Sequence, residues 1–288
     1  YDPWFAGGYL NYYYFGFVLA AVPVKLLGIV PAMAYNLIIP TIFGMIAIGA
    51  FSAAWNLVMA WRVQRDGKGA ATDEPTPGFF PWLFGGLAAA MTALLGNMGP
   101  LVLVLENIAK LGSLNTPGGW DQQAGLLTKL GWLIQGLFNY ITGGSLHIPM
   151  DHWYWNPSRI IPAFGEVAPI TEFPWFTIIY ADLHAHLMAL PLTILALSWV
   201  ISLVLSKAWE GKRTVWTIGW SLVFGAIVIG SLYPTNTWDL PTYLVLGMVV
   251  LVYFLGGCFM DALALVMLTI PIFFPIVIDL GYDPIWFG

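Results

Sequence analysis

Asp182, His184 and His186 fall within five residues of one another at the head of an apolar run that opens at Leu183. A carboxylate and two imidazoles are the ligand types of a divalent transition metal, and equally the groups of general acid–base chemistry. On a helix, positions i and i+2 point about 200° apart, so both imidazoles reach one ion only where the chain is still extended. Asp182 and His186 stand at i and i+4 and would share a helical face, an arrangement in which an acid sets an imidazole tautomer. The plain alternative is a helix start with Asp182 as N-cap and the histidines as interfacial side chains. Polar groups beside about 20 apolar residues cost several kcal/mol unless paired or hydrated, which weighs toward function.

Other residues offer recognition chemistry. Arg159 follows Trp153, Trp155, Asn156 and Ser158. A guanidinium grips phosphate in two-point fashion and the rings suit a sugar or a prenyl chain; its bland reading is a salt bridge to Glu172 or Asp151. Asn236, Trp238 and Asp239 combine an amide, a stacking ring and a carboxylate, a mix that recognises sugar hydroxyls, although Pro234 and Pro241 also mark a simple interhelical turn. Asp2 precedes the triplet Tyr12, Tyr13 and Tyr14. It reads either as a catalytic acid or as a solvated group near a chain end.

The elements that must position these groups are membrane helices. Hydrophobic residues make up 59% of the 288 and charged residues 9%, with a mean hydropathy of +0.78, a balance foreign to soluble domains of this size. The reading is an all-α polytopic membrane protein. A net charge of −5 without a basic run argues against a nucleic-acid partner, and membrane lipid is the partner implied. The single Cys258 excludes an internal disulfide and a cysteine-built zinc site. The chain opens on Tyr-Asp-Pro-Trp and closes on Trp-Phe-Gly, and both ends are expected to be cut.

Hydropathy predicts spans at about 32–61, 79–97, 183–206, 215–233 and 242–257, with an external loop over 98–182. Amphipathic pieces near 101–112 and 125–141 are expected to lie on the membrane surface. Arg62, Arg65 and Lys68 fall in one short loop and Lys207, Lys212 and Arg213 in another, so six of the ten basic residues mark those loops as cytoplasmic. Residue 31 then faces outward. Nothing basic holds residues 1–8 inside, so residues 9–30 are expected to lie half-inserted on the outer face, within an extracytoplasmic segment 1–31. Every motif with chemical content is thereby predicted to meet outside.

Five ordered stretches resemble one family. They are Asp-Pro-Trp-Phe-Ala-Gly-Gly-Tyr-Leu-Asn-Tyr-Tyr-Tyr-Phe-Gly at 2–16, Trp-Asn-Pro-Ser-Arg at 155–159, Glu-Phe-Pro-Trp-Phe at 172–176, Ala-Asp-Leu-His-Ala-His at 181–186 and Asn-Thr-Trp-Asp-Leu-Pro-Thr-Tyr at 236–243. Over about 1–250 the chain resembles the YYY family of polytopic membrane proteins, which looks like a branch of the GT-C membrane glycosyltransferases. The resemblance implies a GT-C-like helix bundle in a prokaryotic plasma membrane, taking a sugar from a polyprenyl-phosphate donor on the extracytoplasmic face. It implies inversion at the anomeric carbon, with Asp2 or Asp182 deprotonating the acceptor while Arg159 or a divalent metal steadies the leaving phosphate. His184 and His186 join that catalytic set; Tyr12, Tyr13, Trp155, Asn156, Arg159, Glu172, Asn236, Trp238 and Asp239 form the expected substrate-binding set.

Residues 256–288 resemble instead a piece of the large permease subunit of TRAP dicarboxylate transporters, with a junction expected between 247 and 256. Two other classes therefore stand beside the transferase: a fragment of an ion-coupled permease, with Asp261, Asn236 or the histidines on a midplane path, and a non-catalytic membrane scaffold.

Overall fold

A computed structural model describes residues 7–9, 12–65, 78–153, 155–159, 161, 169–206, 214–259 and 275. Asp2, Asp261, most of the two basic loops and most of the permease-like tail lie outside the described residues. The fold is all-α, with no strand among the described residues.

Each long apolar run becomes a helix because a chain in hydrocarbon must satisfy its own backbone groups. Helix α2 covers Pro31–Arg65, α7 Ala185–Leu205 and α8 Val215–Thr235, and each carries a window long and apolar enough to cross a bilayer. Pro31 opens α2 where a missing N–H costs nothing, and the Thr214 hydroxyl caps α8 by accepting from the Thr217 N–H at 3.3 Å. Helix α9, Leu240–Phe259, runs unbroken through 247–256, where the sequence led us to expect a junction. Large apolar side chains such as Leu26, Ile48, Trp216 and Ile227 are exposed, as a lipid-facing surface requires.

Helix α1, Phe15–Leu27, has 13 residues and ends at Gly28 in the left-handed region (φ 65°). Its rise of about 20 Å is short of the roughly 30 Å hydrocarbon core. Helix α3, Phe79–Ala90, continues as a π-helical turn, Met91–Leu95, and then breaks. After Gly96 (φ 57°) the chain resumes as α4, Gly99–Ser113, at 89° to the preceding helix. The amphipathic piece expected near 101–112 falls on α4, which leaves the preceding helix at a sharp corner. The carboxamide of Asn97 makes the corner: its Oδ1 accepts from the Gly99 N–H at 2.8 Å and its Nδ2 donates to the Pro157 carbonyl at 3.1 Å.

Helix α5, Leu126–Ile141, lies against α4 with the backbones touching. A Cβ on Gly112 would meet the Trp132 carbonyl oxygen, and one on Gly136 the Ile108 carbonyl oxygen, so both positions need glycine. Trp132 Nε1 donates to Thr116 Oγ1 at 3.0 Å, closing the hairpin. Leu126, Leu127, Ile134, Phe138 and Ile141 leave an exposed apolar face on α5.

Helices α2 and α7 run parallel. Tyr35 sits beside Ala181 and Leu183 near one end, and Gly49 beside Ile194 deeper in. Between them Ile39, Ile42, Ile46, Leu183, Leu187 and Met188 form a buried cluster joined by Ala93 from the π-helical turn. A second cluster, Ala196, Trp199, Val200, Leu203, Val228 and Ile229, ties α7 to α8. The first cluster anchors the ends of the elements that carry the polar residues.

Candidate functional site

The polar cluster is built by a short helix and an abrupt stop. Helix α6, Pro174–Ile179, begins with proline at its first position and ends at Tyr180. Ala181 then takes φ 57°, left-handed and uncommon for a residue with a Cβ. The Asp182 N–H bonds to the Thr177 carbonyl at 3.1 Å and the Ala181 N–H to the Ile178 carbonyl at 3.0 Å, a Schellman-type ending usually given to glycine. Tyr35 stabilises the turn by donating its hydroxyl to the Ala181 carbonyl at 3.1 Å and accepting from the Leu183 N–H at 3.3 Å. The chain stays extended at His184 (φ −72°, ψ 152°), and α7 starts only at Ala185.

That geometry re-pairs the expected groups. Asp182 bonds His184, with Oδ2 accepting from Nδ1 at 2.8 Å, and does not take the helical i,i+4 partner His186. His186 Nε2 instead lies 3.3 Å from Glu172 Oε2. Nor is Asp182 the N-cap; His184 holds that position without a side-chain cap bond. Because His184 is extended and His186 helical, the two imidazoles come to the same side, with ring centroids 5.0 Å apart. One donor atom each from Glu172, His184 and His186 lies within 4.8 Å of the other two.

Tyr12 closes the cluster from 172 residues away, its hydroxyl 3.2 Å from His184 Nε2 and its ring edge-on to Tyr13 at 5.4 Å. Lost hydration, and then the neighbouring Asp182 and Glu172 carboxylates and Tyr13, raise the Tyr12 pKa above its ordinary value, which keeps the phenol a donor. Tyr14 precedes α1 as an exposed N-cap without a side-chain cap bond.

Arg159 belongs to the same place. It ends a 3₁₀ turn, Asn156–Arg159, with its guanidinium 4.0 Å over the Trp155 ring and bonded to the Ser158 carbonyl at 3.2 Å and to Ser158 Oγ. Among the described residues it makes no ion pair, so the bridge to Glu172 entertained from sequence is not formed. The Thr171 N–H bonds to the Ser158 carbonyl at 2.8 Å and so stitches the Arg159 turn beside Glu172. Trp155, Arg159, Glu172, Thr177, Tyr180 and Asp182 line one cavity of about 170 Å³.

A larger, almost wholly apolar cavity of about 560 Å³ lies between α1 and α2, and it is lined by Phe17, Val24, Tyr35, Ile38 and Leu183. Leu183, which lines this apolar space, is the residue between Asp182 and His184. A further apolar cavity of about 580 Å³ shares Ala20, Val24, Ile29, Ala34 and Ile38 with it and extends to Met188 and Pro191 on α7.

Asn236 and Asp239, from the α8–α9 turn, bond to each other at 3.0 Å, and Asp239 is close enough for its charge to act on His186. Trp238 stands 84% exposed at that turn, and Asn156 is likewise exposed. Sequence reasoning missed Thr177, Tyr35 and Asn97. Thr177 is buried, donates to the Phe173 carbonyl at 3.2 Å and lies 3.4 Å from His186 Nε2 and 3.5 Å from Glu172 Oε2. No spacing pattern marks these three, since each acts through a neighbour distant in sequence or through the main chain.

The fold and its apolar helices define an integral membrane protein with a polar site at one end of a helix bundle. Residues 1–267 match the family described as "Uncharacterized membrane protein (DUF2298)", and the chain belongs to that family. The match continues through 247–256, where a junction was expected from the sequence, and ends at 267. No curated protein and no solved structure matches the chain.

Proposed function

We propose that the protein is a membrane glycosyltransferase that moves a sugar from a polyprenyl-phosphate donor to an acceptor. The observation that carries this reading is that two unlike spaces are lined by consecutive residues, Asp182 in one and Leu183 in the other. One cavity holds an arginine without an ion-pair partner among the described residues, an aromatic ring and two carboxylates; the other is an apolar cavity between helices. A lipid-linked sugar phosphate has the same division, with a charged head that a guanidinium grips and a chain that apolar walls accept.

In this reading Arg159, held in place by Trp155 and Ser158, binds the donor phosphate. Asp182 Oδ2 is occupied by His184, while no described group bonds Oδ1. That oxygen takes the proton from the acceptor hydroxyl. The acceptor oxygen forms its bond to the anomeric carbon as the carbon–oxygen bond to phosphate breaks, and the phosphate leaves with the electron pair, neutralised by Arg159. The distribution of basic loops supports an outward-facing site in a prokaryotic plasma membrane.

The test is transfer of label from radiolabelled polyprenyl-phosphate sugars in membranes containing the full-length chain, beside Asp182→Asn, His184→Ala and Arg159→Ala at matched abundance. Transfer by the wild type that drops at least about 100-fold in Asp182→Asn supports the reading, because general-base loss costs about 10²–10⁴-fold. Absence of transfer with every donor, or undiminished transfer in all three variants, removes it.

A further inference from the structure

We infer that Glu172, His184 and His186 form a binding site for one zinc-class divalent cation, with Asp182 as the group that orients His184. The donor set is one carboxylate oxygen and two imidazole nitrogens, a set that zinc and its first-row neighbours accept while leaving a position open for a substrate oxygen. What such an ion would do rests on the lipid-linked-sugar reading above, but its binding does not.

The distances favour an ion over a simple hydrogen-bonded cluster. A tetrahedral ion with bonds of about 2.0–2.1 Å places its ligands about 3.3 Å apart. The separation of His186 Nε2 from Glu172 Oε2 is 3.3 Å, already that of a ligand edge. One ring nitrogen of His184 supplies the third donor, and all three donors lie within 4.8 Å of one another. All three residues are half-buried, which limits competition from water.

The orientation of His184 is the second, independent observation. Its Nδ1 donates to Asp182 Oδ2 at 2.8 Å, which leaves the lone pair on Nε2. A carboxylate behind a histidine, fixing tautomer and ring plane, is the usual outer partner of a metal-bound imidazole. Nε2 faces the Tyr12 hydroxyl at 3.2 Å. An ion held through Nε2 would take that lone pair and leave the Tyr12 hydroxyl free to donate to a ligand oxygen. The sequence offered Asp182 as the ligand; the structure assigns it the supporting position and gives the ligand position to Glu172.

The ion would act as a Lewis acid on a phosphate oxygen, next to Arg159 across the Glu172 wall of the small cavity.

The experiment is zinc stoichiometry and affinity on the purified full-length chain in lipid nanodiscs, stripped with chelator and titrated with Zn²⁺ alone. The expected result is one Zn²⁺ per chain, a rise in melting temperature on loading, and loss of that stoichiometric zinc in Glu172→Gln/His186→Ala. Asp182→Asn should keep the stoichiometry and weaken binding by about 10–100-fold, as loss of an orienting partner does. A melting transition in metal-free buffer that matches the wild type separates loss of the site from loss of the fold. Less than one-tenth of a zinc per wild-type chain, or equal zinc in the double variant, overturns the inference. Stoichiometric zinc in a chain that transfers no sugar would keep the metal site and remove only the transferase.

Discussion

Asp182 and His184 are two residues apart and bonded to each other at 2.8 Å, which the chain achieves by remaining extended between a left-handed Ala181 and the first turn of α7. The pair thus depends on a backbone turn more than on helical spacing. Its side chains are 45% and 37% exposed, open enough to meet a ligand.

Ala181 should be replaceable by glycine with a gain. An alanine in the left-handed region costs roughly 1–2 kcal/mol, offset in part by the larger unfolded-state entropy of glycine. Ala181→Gly is expected to raise stability by up to about 1 kcal/mol, read as a higher melting temperature in detergent. Ala181→Val should lower it, because a β-branched residue is a genuine outlier at positive φ. The opposite order would show that the turn is not strained.

Removing the hydroxyl of Tyr35 tests what holds the turn. It bridges the Ala181 carbonyl and the Leu183 N–H, so Tyr35→Phe leaves two main-chain groups without that partner. A loss of about 1–3 kcal/mol is expected. Transfer activity should fall with it, because Asp182 lies between the two bridged residues; a variant of unchanged stability and activity would sink the assignment.

Arg159→Lys should not rescue Arg159→Ala. The guanidinium lies 4.0 Å over Trp155 and bonds Ser158, a stacked and forked geometry that an ammonium cannot copy. In the transfer assay both variants are expected to lose about 10–100-fold in kcat/KM, equivalent to a charge-assisted bond of about 1.5–3 kcal/mol. Full activity in the lysine variant would mean that only net charge matters there.

Gly136→Leu should separate α4 from α5. A side chain at 136 must displace the Ile108 carbonyl region, main chain that cannot rotate away. The expected outcome is a destabilisation of more than about 2 kcal/mol and new protease cleavage between residues 114 and 125, the connection the hairpin holds. Cleavage unchanged from wild type would show that the hairpin does not depend on this contact.

Much of the fold was legible in the sequence. The apolar runs at 32–61, 183–206, 215–233 and 242–257 lie on helices α2, α7, α8 and α9, because a long apolar run in a membrane has only the helix available to it. The all-α class followed from composition, and the choice of Asp182, His184 and His186 as candidates from the cost of setting ionisable groups beside such runs. The 89° corner after the π-helical turn was not legible, since it is made by Asn97 reaching Pro157, 60 residues away.

The pairing inside the site was decided only by tertiary structure. Sequence spacing joins Asp182 to His186 through an assumed helix; the turn at Ala181 delays that helix until Ala185 and gives Asp182 to His184 and Glu172 to His186. Tyr12 reaches His184 from 172 positions away because α1 packs against α2 and α7. Hydrophobicity is a local property and fixes where the helices are, whereas partners of polar side chains depend on which helix ends the packing brings together.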